Sequence, residues 1–148
     1  MEKIAIFPGT FDPYTIGHDS IIQKALHLFD KIIIAIGNNS EKKTSFYSIE
    51  DRVREITKIY KDQTQVYVQQ YDYLTIDFCK KVNARFIIRG IRNVMDFEYE
   101  KSLAQTNNVL NPEIDTIFFL ANQDYSAVNS SILRDILKHN GDISKFIP

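Results

Sequence analysis

The stretch Ile4-Ala5-Ile6-Phe7-Pro8-Gly9-Thr10-Phe11-Asp12-Pro13-Tyr14-Thr15-Ile16-Gly17-His18 sets an apolar run ahead of a Pro- and Gly-containing connection, after which helical periodicity begins. The run is β-branched and aromatic and does not alternate with polar residues, the pattern of a strand buried on both faces of a parallel sheet. The pattern returns at residues 32–36, 66–68, 86–88 and 116–120, predicting five strands. Helices are expected between and after them, over residues 18–28, from Ser48 onward with Ile49, Val53, Ile56 and Ile59 on one face, and over 74–82, 97–110 and about 130–139. Ser48-Ile49-Glu50-Asp51 reads as a capping-box-like start, Asn111-Pro112 as a stop, and Asn140-Gly141 as a left-handed stop. The order βαβαβαβαβα predicts an α/β fold, a doubly wound parallel five-stranded sheet with right-handed crossovers and ligands at the carboxyl ends of its strands.

The 148 residues fit a single domain, 1–148. Lys and Arg number 18 and Asp and Glu 19, a net charge of −1, which argues against a protein whose main task is to coat nucleic acid. Five glycines and four prolines are few enough to argue against disorder. The lone Cys79 forms no internal disulfide, no Cys/His cluster has metal-ligand spacing, and no protein metal ligands are expected. Met1-Glu2-Lys3 runs straight into the first strand without a signal-like apolar stretch, and no run reaches membrane-spanning length. The expectation is a soluble cytoplasmic protein with no nucleic-acid or membrane partner.

Four segments follow predicted strand ends. After the first strand, Gly9 and Gly17 allow close backbone approach while Thr10 offers a hydroxyl and His18 an imidazole at a helix start, a setting suited to an anion; read blandly, the segment is a turn. After the second, Lys42 and Lys43 are either solvated charge or anion ligands. After the fourth, Arg89-Gly90-Ile91-Arg92 offers two guanidinium forks for phosphate, or ion pairs with Asp96 or Glu98. After the fifth, Tyr125-Ser126-Ala127-Val128-Asn129-Ser130-Ser131 opens a helix, with Ser130 or Ser131 a simple N-cap in the bland reading. Together the four suit a polyphosphate. The absence of GxGxxG and Walker A patterns argues against the commonest dinucleotide and P-loop schemes.

Thr15-Ile16-Gly17-His18 resembles the (H/T)xGH signature of the nucleotidyltransferase superfamily, and Val128-Asn129-Ser130-Ser131-Ile132-Leu133-Arg134 resembles its ISSTxxR signature. With Pro8-Gly9-Thr10-Phe11-Asp12-Pro13, Lys42-Lys43, Arg89-Gly90-Ile91-Arg92 and Asp96-Phe97-Glu98-Tyr99-Glu100, the whole chain resembles the bacterial phosphopantetheine adenylyltransferases. The resemblance implies a Rossmann-like nucleotidyltransferase fold. It also implies transfer of the adenylyl group of ATP to 4′-phosphopantetheine with Mg²⁺, giving dephospho-coenzyme A and pyrophosphate in coenzyme A biosynthesis. It places Thr10, Phe11, His18, Gly90, Ile91, Arg92 and Glu100 at ATP, together with Tyr125, Ser126, Ala127, Val128, Asn129, Ser130 and Ser131. It places Thr10, Lys42, Leu74, Thr75 and Arg89 at the acceptor, and makes His18, Thr10, Lys42 and Arg92 the catalytic group. A homohexamer and feedback by coenzyme A are implied as well. Tyr125 stands where the family often has tryptophan, and Asn129 replaces the first serine of the signature.

Such a reaction gathers several negative charges, and a cation 4 Å from one of them is worth about 4 kcal/mol at an effective dielectric of 20. Positioning and charge stabilisation are therefore the main tasks. The acceptor phosphate is already ionised, so His18 serves the α-phosphate rather than removing a proton; its own protonation state is open, since a helix N-terminus disfavours the charge that phosphates favour. Cys79 reads as core, His27 and His139 as surface residues near helix ends, and Tyr71 and Tyr73 either line the acceptor arm or pack. Two rivals remain. One is a nucleotidyltransferase with another acceptor, such as nicotinate mononucleotide or glycerol phosphate; the other is a nonenzymatic nucleotide-binding module.

Overall fold

The computed structural model of the chain describes residues 1–38 and 45–148. Its elements are β1 (Ile4–Gly9), α1 (Ile16–Ala25), β2 (Lys31–Gly37), α2 (Ile49–Ile59), β3 (Val66–Tyr71), α3 (Thr75–Lys81), β4 (Phe86–Ile91), α4 (Val94–Leu110), β5 (Asp115–Leu120) and α5 (Ser130–Lys138). The five strands form one sheet in the order β3-β2-β1-β4-β5, every pair parallel. The expected α/β architecture is therefore present, and the chain direction across the sheet reverses between β1 and β4, where such sheets bind ligands.

Strand alternation divides the core in two. Ala5, Phe7, Ile32, Ile34, Ile36 and Ile88 face α1 and α2, meeting Ile21, Ile22, Ala25, Ile56 and Tyr60. Ile4, Ile6, Ile33, Ala35 and Ile87 face the other way, onto Ile76, Phe78 and Cys79 of α3, and Phe97 of α4 meets Phe118 of β5 edge-on on that side. Each fully buried isoleucine contributes about 1.5–3 kcal/mol, so the five consecutive buried residues of β2 are a large share of the core. Burial pushes the Cys79 thiol up to about 12, so it stays protonated, as a core residue should. His27 and His139 are exposed near helix ends.

Several boundaries differ from expectation. α1 begins at Ile16 and ends at Ala25, not over 18–28, because Thr15 is its N-cap: the Thr15 side chain accepts from the His18 amide, and the His18 ring reaches back to the Thr15 amide. The reciprocal capping box thus lies here, and Ser48 caps α2 only through its own hydroxyl. α4 starts three residues early at Val94, capped by Asn93. The strands run past their apolar runs, so Pro8 and Gly9 belong to β1 and Arg89, Gly90 and Ile91 belong to β4 rather than to a following loop. Asn129, not Ser130 or Ser131, is the N-cap of α5, accepting from the Ile132 amide. At the other end Asn140 takes the left-handed conformation with φ 59°. Among the described residues no helix is long and apolar enough to cross a membrane.

Candidate active site

Two cavities open at the carboxyl ends of the central strands. The first, about 300 Å³, is lined by Pro8, Gly9, Thr10 and Phe11 after β1, by Gly17 and His18 of α1, by Arg89, Gly90 and Arg92 from β4, and by Tyr125, Val128, Asn129 and Ser130 before and at α5. The second, about 400 Å³, has Gly37, Tyr71, Leu74 and Thr75 on one wall and Leu103, Ala104 and Asn107 of α4 on the other. Pro8, Gly9, Thr10, Arg89 and Glu100 border both, so the two compartments meet at a hydroxyl and a guanidinium. A larger cavity of about 560 Å³ lies between α2, the last residues Ile147 and Pro148, and the loop residues Phe11, Pro13 and Tyr14, and shares Phe11 with the first.

His18 sits inside an aromatic frame. The Tyr14 ring stacks on its face at 5.2 Å between centroids, Phe11 meets it edge-on at 5.0 Å, and Phe7 edge-on at 6.2 Å. Its Nδ1 accepts from the Thr15 backbone amide at 3.0 Å, so the ring proton of the neutral form resides on Nε2. Burial, then the charges of Arg92 and Arg89, lower its pKa from 6.5 to about 4. The free protein therefore holds a neutral imidazole at neutral pH, a hydrogen-bond donor with a fixed tautomer.

The arginines are anchored differently. Arg89 donates from Nε and Nη2 to the two oxygens of buried Glu100, at 2.7 and 2.5 Å, and from Nη1 to the Pro8 carbonyl at 2.8 Å. Its ion-pair partner is thus Glu100, and neither Asp96 nor Glu98 takes that role. Arg92 instead pairs with Asp96 at 3.0 Å in a half-exposed contact. Burial raises the Asp96 carboxyl, but hydrogen bonds from the Arg92 side chain and amide outweigh that and hold it below the usual range.

The loop between β1 and α1 is tied down from three sides. The Asp12 carboxylate, 2 % exposed, accepts from the Phe46 and Tyr47 amides at 2.6 and 2.8 Å. Buried Arg52 of α2 donates to the Thr10 carbonyl at 2.7 Å. From α5, Arg134 donates to the Asp12 carbonyl and the Ser130 hydroxyl to the Pro13 carbonyl, both at 2.8 Å. Phe11 lies in the left-handed region at φ 51°, its ring laid over Gly9, where an added Cβ would stand 2.7 Å from the ring tip. Gly9 is thus a close-approach glycine. Gly90 is another, since a Cβ there would stand 3.2 Å from the Ile21 side chain, which would have to give way by a few tenths of an ångström.

Thr10, Phe11, His18, Gly90, Arg92, Glu100, Tyr125, Val128, Asn129 and Ser130 all border the first cavity, and Thr10, Leu74, Thr75 and Arg89 the second. Ile91 turns into the core, while Ser126 and Ala127 are exposed and Ser131 receives a bond from Arg134, so these four are not brought to the cavity wall. Lys42 lies outside the described residues. Sequence reasoning left Tyr71 undecided; its hydroxyl bonds Thr75 at 3.0 Å beside the second cavity, whereas Tyr73 is exposed and off that wall. Leu103, Asn107, Arg52 and Arg134 were assigned no role, although Arg134 stands inside a quoted signature.

The cytidylyltransferase-like family matches residues 6–136. The phosphopantetheine adenylyltransferase of Flavobacterium psychrophilum is 53 % identical over 144 residues, covering 97 % of this chain and 94 % of that one. The chain belongs to the phosphopantetheine adenylyltransferase family. The Bacteroides fragilis phosphopantetheine adenylyltransferase is 50 % identical over 97 % of the chain and 95 % of its own length. Among solved structures, a bifunctional NMN adenylyltransferase/ADP ribose pyrophosphatase from Francisella tularensis superposes with a TM-score of 0.76 at 20 % identity, over 99 % of this chain. The chain spans 45 % of that bifunctional protein, and the likeness speaks for the fold. In this phosphopantetheine adenylyltransferase-family chain, Gly17 and His18 of one signature and Val128, Asn129 and Ser130 of the other line the first cavity.

Proposed function

We propose that the chain catalyses adenylyl transfer from ATP to 4′-phosphopantetheine, releasing pyrophosphate and dephospho-coenzyme A in coenzyme A biosynthesis. The observation that carries the reading is the meeting of two cavities at Thr10 and Arg89. The compartment holding His18, Arg92 and the start of α5 offers an imidazole, a guanidinium and a helix N-terminus to a nucleoside triphosphate. The compartment between Leu74 and Leu103 sets those apolar side chains beside Tyr71, Thr75 and Asn107, a mixed lining that suits the amide-containing pantetheine arm. Family membership supports the same pair of substrates.

In this reading the acceptor phosphate lies at the junction, oriented by Thr10, Arg89 and Lys42. One of its oxygens attacks the α-phosphorus of ATP, the new P–O bond forms as the bond to the β-phosphate bridging oxygen breaks, and pyrophosphate carries the electron pair away. His18 donates Nε2–H to an α-phosphate oxygen, where charge grows in the transition state. Arg92 balances the departing charge. No general base is needed, and orientation supplies most of the acceleration. Mg²⁺ enters as a companion of the ATP phosphates. Among the described residues no group of three or more His, Cys, Asp or Glu is arranged to hold a cation, and Asp96 and Glu100 are engaged by Arg92 and Arg89. Phosphate oxygens and water are the natural ligands for this hard ion.

The exposed apolar side chains Val94, Met95, Tyr99, Val109 and Leu110 of α4, with Leu120 at the end of β5, support self-association. We carry the homohexamer on that ground and on family resemblance, with a cytoplasmic location and coenzyme A as a feedback ligand spanning both cavities. The deciding experiment is pyrophosphate release from ATP with 4′-phosphopantetheine present, absent, or replaced by nicotinate mononucleotide or glycerol phosphate. Release that depends on 4′-phosphopantetheine is expected. Equal release with another acceptor, or none with any, overturns the assignment.

A further inference from the structure

Behind the cleft lies a buried chain of hydroxyls that the proposed reaction does not use. Tyr14, in the loop before α1, is 5 % exposed, and Tyr60, which ends α2, is 6 % exposed. The Tyr60 hydroxyl donates to Asp19 Oδ1 at 2.6 Å. The two phenol oxygens are 2.6 Å apart, and since each phenol carries a single proton, Tyr14 is the donor in that contact. The chain therefore runs one way, Tyr14 to Tyr60 to Asp19. Asp19 closes it on the first turn of α1, one residue from His18.

The other end of this chain is the Tyr14 ring, stacked on the His18 imidazole with 29° between the planes. Phe7 and Phe11 touch the imidazole by their edges, and neither has a polar group to fix its own position. The Nδ1 hydrogen bond to Thr15 holds one atom of the imidazole but leaves the ring free to tilt about it. Of the three rings that bear on that tilt, Tyr14 is the one that meets the imidazole face and whose axis is fixed by a hydroxyl. We infer that Tyr14 is a positioning residue for His18, and that Tyr60 and Asp19 hold Tyr14 so that His18 Nε2 stays aimed into the first cavity. The kinetic consequence rests on the adenylyl-transfer reading; the geometric one does not.

Proton bookkeeping gives the substitutions distinct outcomes. Tyr60→Phe removes the acceptor for the Tyr14 hydroxyl and leaves a buried donor unpaired, whereas Tyr14→Phe keeps the stacked ring and strands no donor, because Tyr60 still donates to Asp19. Adding Tyr14→Phe to Tyr60→Phe removes the unpaired donor. Misplacement by 1 Å can cost about 100-fold, so the smaller tilt in Tyr60→Phe should lower kcat by about tenfold, with KM for both substrates unchanged. The double variant should regain stability but not kcat, because the hydroxyl that fixes the Tyr14 axis is then absent.

The test pairs these kinetics with ¹⁵N NMR of the imidazole rings. The chain has three histidines, and His18→Asn identifies the His18 signals by their loss. Shifted His18 ring signals in Tyr60→Phe, together with the kcat loss at unchanged KM, are expected. Unchanged His18 signals and kcat, alongside a lowered melting temperature, mean that the hydroxyl chain is only structural and overturn the inference. If Tyr60→Phe does not fold, Tyr14→Phe is read by the same signals, with a smaller shift expected and no shift overturning. A wild-type protein without turnover overturns the adenylyl-transfer reading, and the ring signals then decide the positioning role by themselves.

Discussion

His18 joins several independent constraints: a capping hydrogen bond, three aromatic neighbours and two arginine charges. Replacing it by alanine should leave the fold intact and lower kcat by about 10²–10³-fold, the usual cost of losing one transition-state donor; steady-state kinetics on folded protein checks this. Its lowered pKa also has a stability consequence. Because the folded pKa, about 4, lies below the unfolded 6.5, the unfolded chain binds the proton more readily between those values. The contribution is complete above pH 6.5 and is lost as the pH falls toward 4. Urea midpoints measured from pH 7 to pH 4 should therefore fall less in His18→Asn than in the wild type. Thr10, His18, Arg89 and Arg92 were legible because their chemistry sits in short motifs beside predicted strand ends. Asp12, Arg52 and Arg134 were not, because their partners lie 34, 42 and 122 residues away along the chain and only the fold brings them together. The Arg89–Glu100 pair was hidden for a related reason: a carboxylate on a helix face does not reveal which of several nearby arginines it meets.

At the level of elements, type and order were readable from periodicity, whereas the ends were not. Apolar character marks a strand only while both faces are buried. At Pro8, Gly9, Arg89 and Gly90 the strand continues but its side chains turn toward a polar cleft, so the pattern stops before the hydrogen bonding does. The caps Thr15 and Asn129 are hidden in the sequence because a cap is set by where the backbone turns helical, and polar neighbours such as Ser130 and Ser131 carry the same capping chemistry. The junction of β1 with its loop supports a sharper expectation. Gly9→Ala must push the Phe11 ring away from a 2.7 Å contact while Phe11 is already held at positive φ. Overpacking of this kind costs about 1–3 kcal/mol, and the displaced ring also frames His18. Gly9→Ala should thus lower both the urea midpoint and kcat, measurable on one preparation by denaturation and pyrophosphate release.

At the scale of the whole molecule, the proposed reaction has a stereochemical consequence. In that reading the two cavities, which share Thr10 and Arg89 on their walls, hold the acceptor and the nucleotide, and the acceptor oxygen enters the α-phosphorus opposite the departing pyrophosphate. Cys79 is not placed for covalent capture, being buried on α3 with its thiol pushed up to about 12. A single displacement inverts configuration, so ATP made chiral at the α-phosphorus by sulfur substitution should give inverted product. Retention would mean two displacements and an adenylated enzyme.

The same strand order has a further consequence for how the site survives thermal fluctuation. β1 is the middle strand, bonded along its length to β2 and on its other side to β4, while β3 and β5 form the rims. Opening a rim strand breaks one ladder, whereas freeing β1 requires breaking two and exposing both halves of the core. The amides of Ala5, Ile6 and Phe7 should therefore exchange with solvent deuterium more slowly than those of β3 and β5. The floor beneath Thr10 and His18 stays assembled while the rims breathe.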